Sequence, residues 1–296
     1  MWLLSLLLAA AGSPYAGAAA CRQCHAAEFA AQSATAHAAA LAHSKAPQPG
    51  GWAFGAGAQA ITFVSRLDAE NYLENGKSWY RSLQGYALTP GHRNTTGQRY
   101  RTFDPSAAIL RCFACHSTGP LALGPDEAII PHELGVRCEA CHGPAADHAR
   151  DPAHHHPRNP ATLSADQLNA LCGECHRMPA AATDSTDLRN PWNARHQPLL
   201  LAASRCFRES KGRLSCLTCH QPHAALERRL VVYDAACKSC HASPRHSRPI
   251  LGRACAECHM PAVRPQPELA FANHRIAIYA PADPLSPVTL PVRARR

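Results

Sequence analysis

The chain has 296 residues and a formal net charge of +9, its basic residues being 26 Arg against 4 Lys. Beyond an apolar amino-terminal run, no stretch is apolar enough to cross a membrane as a helix. The basic excess by itself would suggest a nucleic-acid ligand, but fourteen of the fifteen cysteines fall in seven Cys-x-x-Cys-His pentapeptides, and these account for the charge without one.

In chain order, residues 1–20 read as an exported leader. An apolar core from Trp2 to Ala10 is too short for a span, and small residues Ala16 to Ala20 fit a cleavage just before Cys21. The stretch Cys21 to His43 lacks Gly and Pro and predicts one helix carrying the first pentapeptide, Cys21, Cys24 and His25. A β-containing insert is expected at about 50–105. Its β-prone runs, Ile61–Val64, Ser78–Leu83 and Gly85–Thr89, predict a small antiparallel region near 55–90, with Asn75-Gly76 as the hairpin turn between the first two.

From there the pentapeptides crowd together: Cys112, Cys115 and His116; Cys138, Cys141 and His142; Cys172, Cys175 and His176. Ser164 and Gln167 form a capping box that starts the helix delivering the last of these. Asn193 to Ser210 is a helical candidate interrupted by Pro198. Three more follow: Cys216, Cys219 and His220; Cys237, Cys240 and His241; Cys255, Cys258 and His259. Residues 281–296 read as a disordered, Pro-rich tail. The fold expected is mainly α with extensive loop, a single unit over 21–280 whose core is formed by the groups that the pentapeptides bind.

The pentapeptide is the attachment signature of a c-type haem. Two cysteine sulfurs form thioethers to the two vinyl groups, and the histidine that follows reaches the iron from the same side. Structural zinc would need coupled pairs of Cys-x-x-Cys and gives no reason for a histidine after every second cysteine. Seven haem c groups, attached covalently, are therefore expected. Each brings two propionates, so seven ferric groups would take +9 to about +2, with arginine as the better bidentate carboxylate partner.

Seven irons need sixth ligands. Twelve histidines lie outside the motifs, and Met178 and Met260 each lie within two residues of a motif histidine, too close to reach the opposite face. His–Fe–His ligation is expected, with His37, His132, His148, His223, His246 and His274 as distal candidates. His43, His92 and His196 compete for the seventh place. The run His154 to His156 reads as a solvated loop. His223 and His246 lie too near His220 and His241 to wrap around their own porphyrins, so each would serve a neighbour.

Several segments resemble the cytochrome c-554 family, relatives of hydroxylamine oxidoreductase and tetrathionate reductase. They are Cys21–His25 with Ser33–Ala38; His132–Pro144 with His148; Cys216–His220 with His223; and Cys258–Pro261 with Asn273–Ile276. The likeness covers most of residues 21–280 and implies closely packed bis-histidine haems in a periplasmic electron-transfer protein. The namesake has four haems against seven motifs here.

The sequence thus points to an exported, periplasmic electron carrier with redox partner proteins, no nucleic-acid partner and no transmembrane segment after leader removal. The alternative is a multihaem oxidoreductase acting on a small nitrogen or sulfur compound at one open-coordinate haem, with Lys45, Lys77, Lys211 or Cys206 able to ligate or donate. A structural, wire-forming subunit is a third class.

Overall fold

The computed structural model describes residues 13–45, 51–102, 108–124, 126–177, 187–244, 246 and 252–288. Most of the leader, Met178 and residues 289–296 lie outside them.

The mainly-α expectation is overturned: about 32% of the described residues are helical and 21% are in strands. The β-rich insert begins earlier and ends later than the runs near 55–90 suggested. Seven strands, β1 (Leu41–His43), β2 (Trp52–Phe54), β3 (Ala60–Arg66), β4 (Asn71–Glu74), β5 (Lys77–Tyr80), β6 (Gly85–Leu88) and β7 (Gln98–Arg101), form one antiparallel sheet. Meanwhile the helices stay short because a haem motif needs only one turn. The longest among the described residues has 12 residues.

Asn75-Gly76 is not a hairpin turn. β3 pairs with β4 (Val64 opposite Glu74) and, further along the same edge, with β5 (Ile61 opposite Trp79). The two residues between are a bulge in one nearly continuous strand, where the Asn75 amide donates to Phe63 O (2.8 Å). Gly76 is needed there because a Cβ would lie 2.3 Å from Thr95. The real turn is at Asp68, whose carboxylate accepts from the amides of Glu70 and Asn71 (3.0 Å each).

The helix expected over Cys21 to His43 is broken. α1 (Ala18–Cys21) and α2 (Ala26–Ser33) are followed by turns, and the chain enters β1 at Leu41. α3 (Ala108–His116) then packs on the sheet, followed by the hairpin β8 (Ser117–Leu123) and β9 (Ile129–Leu134). Leu41, Phe54, Val64, Tyr72, Ile109, Phe113 and Ile129 form a contiguous core, and the Tyr72 hydroxyl accepts from the Ile129 amide (2.9 Å). Each large apolar side chain fully buried here contributes about 1.5–3 kcal/mol. A conventional core therefore exists beside the haem motifs, and Phe113 belongs to both.

The remainder is short helices and loop: α4 (Cys138–His142), α5 (Ala146–Arg150), α6 (Ala165–His176), α7 (Gln197–Ala202), α8 (Arg205–Glu209), α9 (Cys216–Cys219), α10 (Asp234–Lys238) and α11 (Cys255–His259). The Ser164–Gln167 capping box is formed in both directions (3.2 and 2.9 Å). Pro198 starts α7 instead of interrupting a longer helix. Two small hairpins close the chain, β10 (Ala262–Val263) with β11 (Phe271–Ala272) and β12 (Tyr279–Ala280) with β13 (Asp283–Pro287).

Candidate functional site

All seven pentapeptides lie wholly or partly in short helices, α1, α3, α4, α6, α9, α10 and α11, the first through Cys21 at the end of α1. One turn sets the two cysteines at i and i+3 and the histidine at i+4, on one helix face. The motifs are gathered in space. Thiols of different motifs lie near enough to influence one another at Cys21–Cys138, Cys115–Cys175, Cys172–Cys216 and Cys237–Cys255. Cys141 with Cys172 and Cys219 with Cys237 also interact electrostatically, so every motif has at least one neighbour. Burial pushes the Cys21 and Cys112 thiols up to about 11.

Five motif histidines face a histidine from elsewhere in the chain. Ring centres lie 6.3 Å apart for His25 and His148, 5.9 Å for His176 and His37, and 6.0 Å for His142 and His223. The separations are 6.2 Å for His220 and His274 and 6.3 Å for His259 and His246. A metal held about 2 Å from one nitrogen of each ring requires a centre-to-centre spacing of about 6 Å. His223 and His246 thus oppose histidines of motifs other than the ones they follow in sequence.

The rings are held by their second nitrogens. Nδ1 contacts a backbone carbonyl oxygen in His116 (Ala40, 2.9 Å), His142 (Arg158, 2.9 Å), His148 (His155, 2.7 Å), His259 (Ala277, 2.8 Å) and His274 (Ala272, 3.0 Å). With Nδ1–H donating, Nε2 is the free lone pair, the arrangement expected of a metal ligand. Burial lowers the pKa of His37 and His176, yet both keep accessible surface, so they line interior space rather than pack against side chains. Among the described residues no group of three or more His, Cys, Asp or Glu converges as a metal site. Paired imidazoles without further protein donors suit an iron whose other four donors come from a porphyrin, so the residues fit haem.

The other candidates are placed differently. His132 lies against Tyr15 (5.4 Å) and under Gly119, where a Cβ would sit 3.0 Å from its ring. His43 lies against Trp52 (4.5 Å), and His92 Nε2 is 3.5 Å from a Glu74 carboxylate oxygen. His196 bonds Asn193 (3.0 Å). His154 to His156 are exposed, although His155 supplies the carbonyl that holds His148. Lys45, Lys77 and Lys211 are exposed, and burial raises the Cys206 thiol pKa, which works against a nucleophilic role.

Sequence reasoning overlooked two supports. Gly135 (φ 79°) passes so close to the His37–Ala38 backbone that a Cβ would lie 2.0 Å from Ala38 O, while the Val136 amide donates to His37 O (2.8 Å). Gly135→Ala is expected to displace His37 and lower the melting temperature, with loss of one low-spin signal in electron paramagnetic resonance; an unchanged melt and spectrum would count against that support. The second is Glu139, inside the third pentapeptide, which is only 3% exposed.

His196 gives a pH dependence. Burial, followed by the Arg195 and Arg177 cations, lowers its pKa from 6.5 to about 4. The unfolded chain takes up a proton there before the native one, so this group's stabilisation is complete above pH 6.5 and drains away as pH falls towards about 4. His196→Gln should shallow the decline of melting temperature across that window; an identical acid profile would contradict the assignment.

Residues 74–143 match the family model described as cytochrome c554 and c-prime. The chain is similar to the multiheme cytochrome MtrA of Shewanella baltica (strain OS185), 29% identical over 116 residues, which is 38% of this chain and 28% of that protein. The match thus spans little more than a quarter of that relative's length. Among solved structures it resembles the outer cell wall cytochrome OcwA (TM-score 0.60, 16% identity, 92% of this chain and 81% of that one). It also resembles an undecaheme cytochrome from the S-layer of Carboxydothermus ferrireducens (TM-score 0.51, 17% identity, 84% of this chain and 51% of that one).

Proposed function

We propose, for a chain that is a multihaem c-type cytochrome resembling the cytochrome c554 family, that it is an exported, periplasmic carrier passing electrons through seven covalently attached haems. The observation that carries this reading is the set of five histidine pairs spaced about 6 Å apart, each joining a motif histidine to one distant in sequence. Haem supplies one-electron redox chemistry, at a potential that two imidazole ligands generally lower relative to a histidine–methionine pair.

The protein's own residues do the rest. Cys21, Cys112, Cys138, Cys172, Cys216, Cys237 and Cys255, each with its partner three residues on, anchor the groups. His37, His148, His223, His246 and His274 would each supply a second histidine to one of five haems. Backbone carbonyls hold several rings in one tautomer, which raises ligand basicity and limits movement between redox states. The proximity of thiols from different motifs supports closely spaced haems, which is what electron hopping needs. No helix of the described residues is long and apolar enough to cross a membrane. Redox partner proteins would be met at the surface.

The test is spectroscopic and gravimetric. The exported protein should weigh its polypeptide plus seven haems, and the ferric form should give low-spin resonance from the five haems with paired histidines. A high-spin component that changes on adding nitrite or hydroxylamine would replace the carrier with the oxidoreductase reading. A bare polypeptide mass with no Soret absorbance would remove both.

A further inference from the structure

The segment expected to leave with the leader is built into the protein. The amides of Ala16 and Gly17 donate to the two Glu139 carboxylate oxygens at 2.9 and 2.8 Å, and the Ala145 amide donates to the same carboxylate at 2.8 Å. The Ala18 amide donates to Glu133 (3.1 Å). The Ala146 amide donates to Pro14 O (3.0 Å), Tyr15 lies against His132, and Ala18 is 1% exposed.

Glu139 carries a nearly fully buried carboxylate, and leaving such a group without donors is costly. Removing residues 13–20 would strip two of the three amides that donate to it, leaving Ala145. The same cut would dismantle α1, because the Arg22 amide donates to Ala18 O (3.2 Å) and the Cys21 thiol approaches Gly17 O (3.8 Å). Cys21, a thioether anchor, would then carry a free ammonium with no preceding helical turn. Glu139 sits between Cys138 and Cys141, so its bonds to Ala16 and Gly17, just ahead of Cys21, clamp the first pentapeptide to the third.

We propose that residues 13–20 are a retained amino-terminal latch, and that leader removal falls at or before Gly12 rather than ahead of Cys21. The run Ala9-Ala10-Ala11-Gly12 satisfies the small-residue rule for cleavage, with Ala10 and Gly12 at the two restricted positions. Glu139 and Glu133 act as positioning residues, holding backbone amides in place of a helix cap.

The experiment is amino-terminal sequencing with intact mass of the exported full chain, which reads the terminus whatever the haem content and so fails independently of the carrier reading. A first residue at Ser13 or upstream upholds the latch; Pro14 or any later residue, Cys21 included, overturns it. Native-state hydrogen exchange adds a second readout. The Ala16 and Gly17 amides should exchange at least about tenfold more slowly than in an unstructured chain, and the Glu139→Ala variant should lose that protection. Exchange at the unstructured rate in the unaltered protein would overturn the proposal even with the expected terminus.

Discussion

His274→Ala should convert one low-spin ferric haem to high spin, with no loss of haem mass. His274 faces His220 at 6.2 Å, with its ring planes inclined by 32°. Burial above all lowers its pKa to about 4, so the neutral imidazole, the form that ligates, persists through the physiological range. The substitution is a clean one because the loop is held by its neighbours. Ser204 Oγ donates to His274 O (3.0 Å) and accepts from the Ile276 amide (2.7 Å). Asn273, 2% exposed, donates to Pro284 O (2.8 Å) and Tyr279 Oη (3.2 Å) and accepts from the Arg275 amide (2.9 Å). Removing the ring therefore leaves the backbone path intact, and the thioethers at Cys216 and Cys219 should keep the haem. Added imidazole should restore the low-spin signal. An unchanged spectrum in the variant would reject His274 as a ligand.

Phe113→Ala should cost about 3–5 kcal/mol of stability, the usual loss for a large buried aromatic. Phe113 is 0% exposed and sits between Cys112 and Cys115. Its ring meets Trp52 at 5.1 Å (90°), Phe54 at 5.0 Å (78°) and Tyr72 at 6.1 Å (72°), edge-to-face geometries each worth about 0.5–1.5 kcal/mol beyond burial. The same residue locks α3 onto the sheet, so its loss should also free the second pentapeptide. Denaturant titration gives the check: a lower midpoint with unchanged slope is expected, and Phe113→Leu should cost less. A midpoint matching the unaltered protein would show that the sheet does not support the motif.

The sequence determined the chemistry because that chemistry is local. Cysteines at i and i+3 with histidine at i+4 define a haem attachment within five residues, whatever surrounds them, and the Ser164 capping box is equally short-range. The supply of twelve spare histidines against two methionines beyond Met1 pointed to bis-histidine ligation by composition alone. What lay beyond reach was anything decided by contact between distant segments. The Ile- and Val-containing runs announced strands but not that β1 and β7 extend the sheet, nor that Asn75-Gly76, a strong turn signal in isolation, would be overruled by continued pairing along β3. An Ala-rich stretch such as Cys21 to His43 favours helix by propensity, yet Gly135 and Val136 pack on the His37–Ala38 backbone and the chain turns there. Only tertiary structure could set His223 opposite His142 and His246 opposite His259, because ring pairing depends on the path of the intervening chain. It also brought Glu139 to the amides of Ala16 and Gly17, more than a hundred residues away, since a buried carboxylate takes whatever donors the fold supplies.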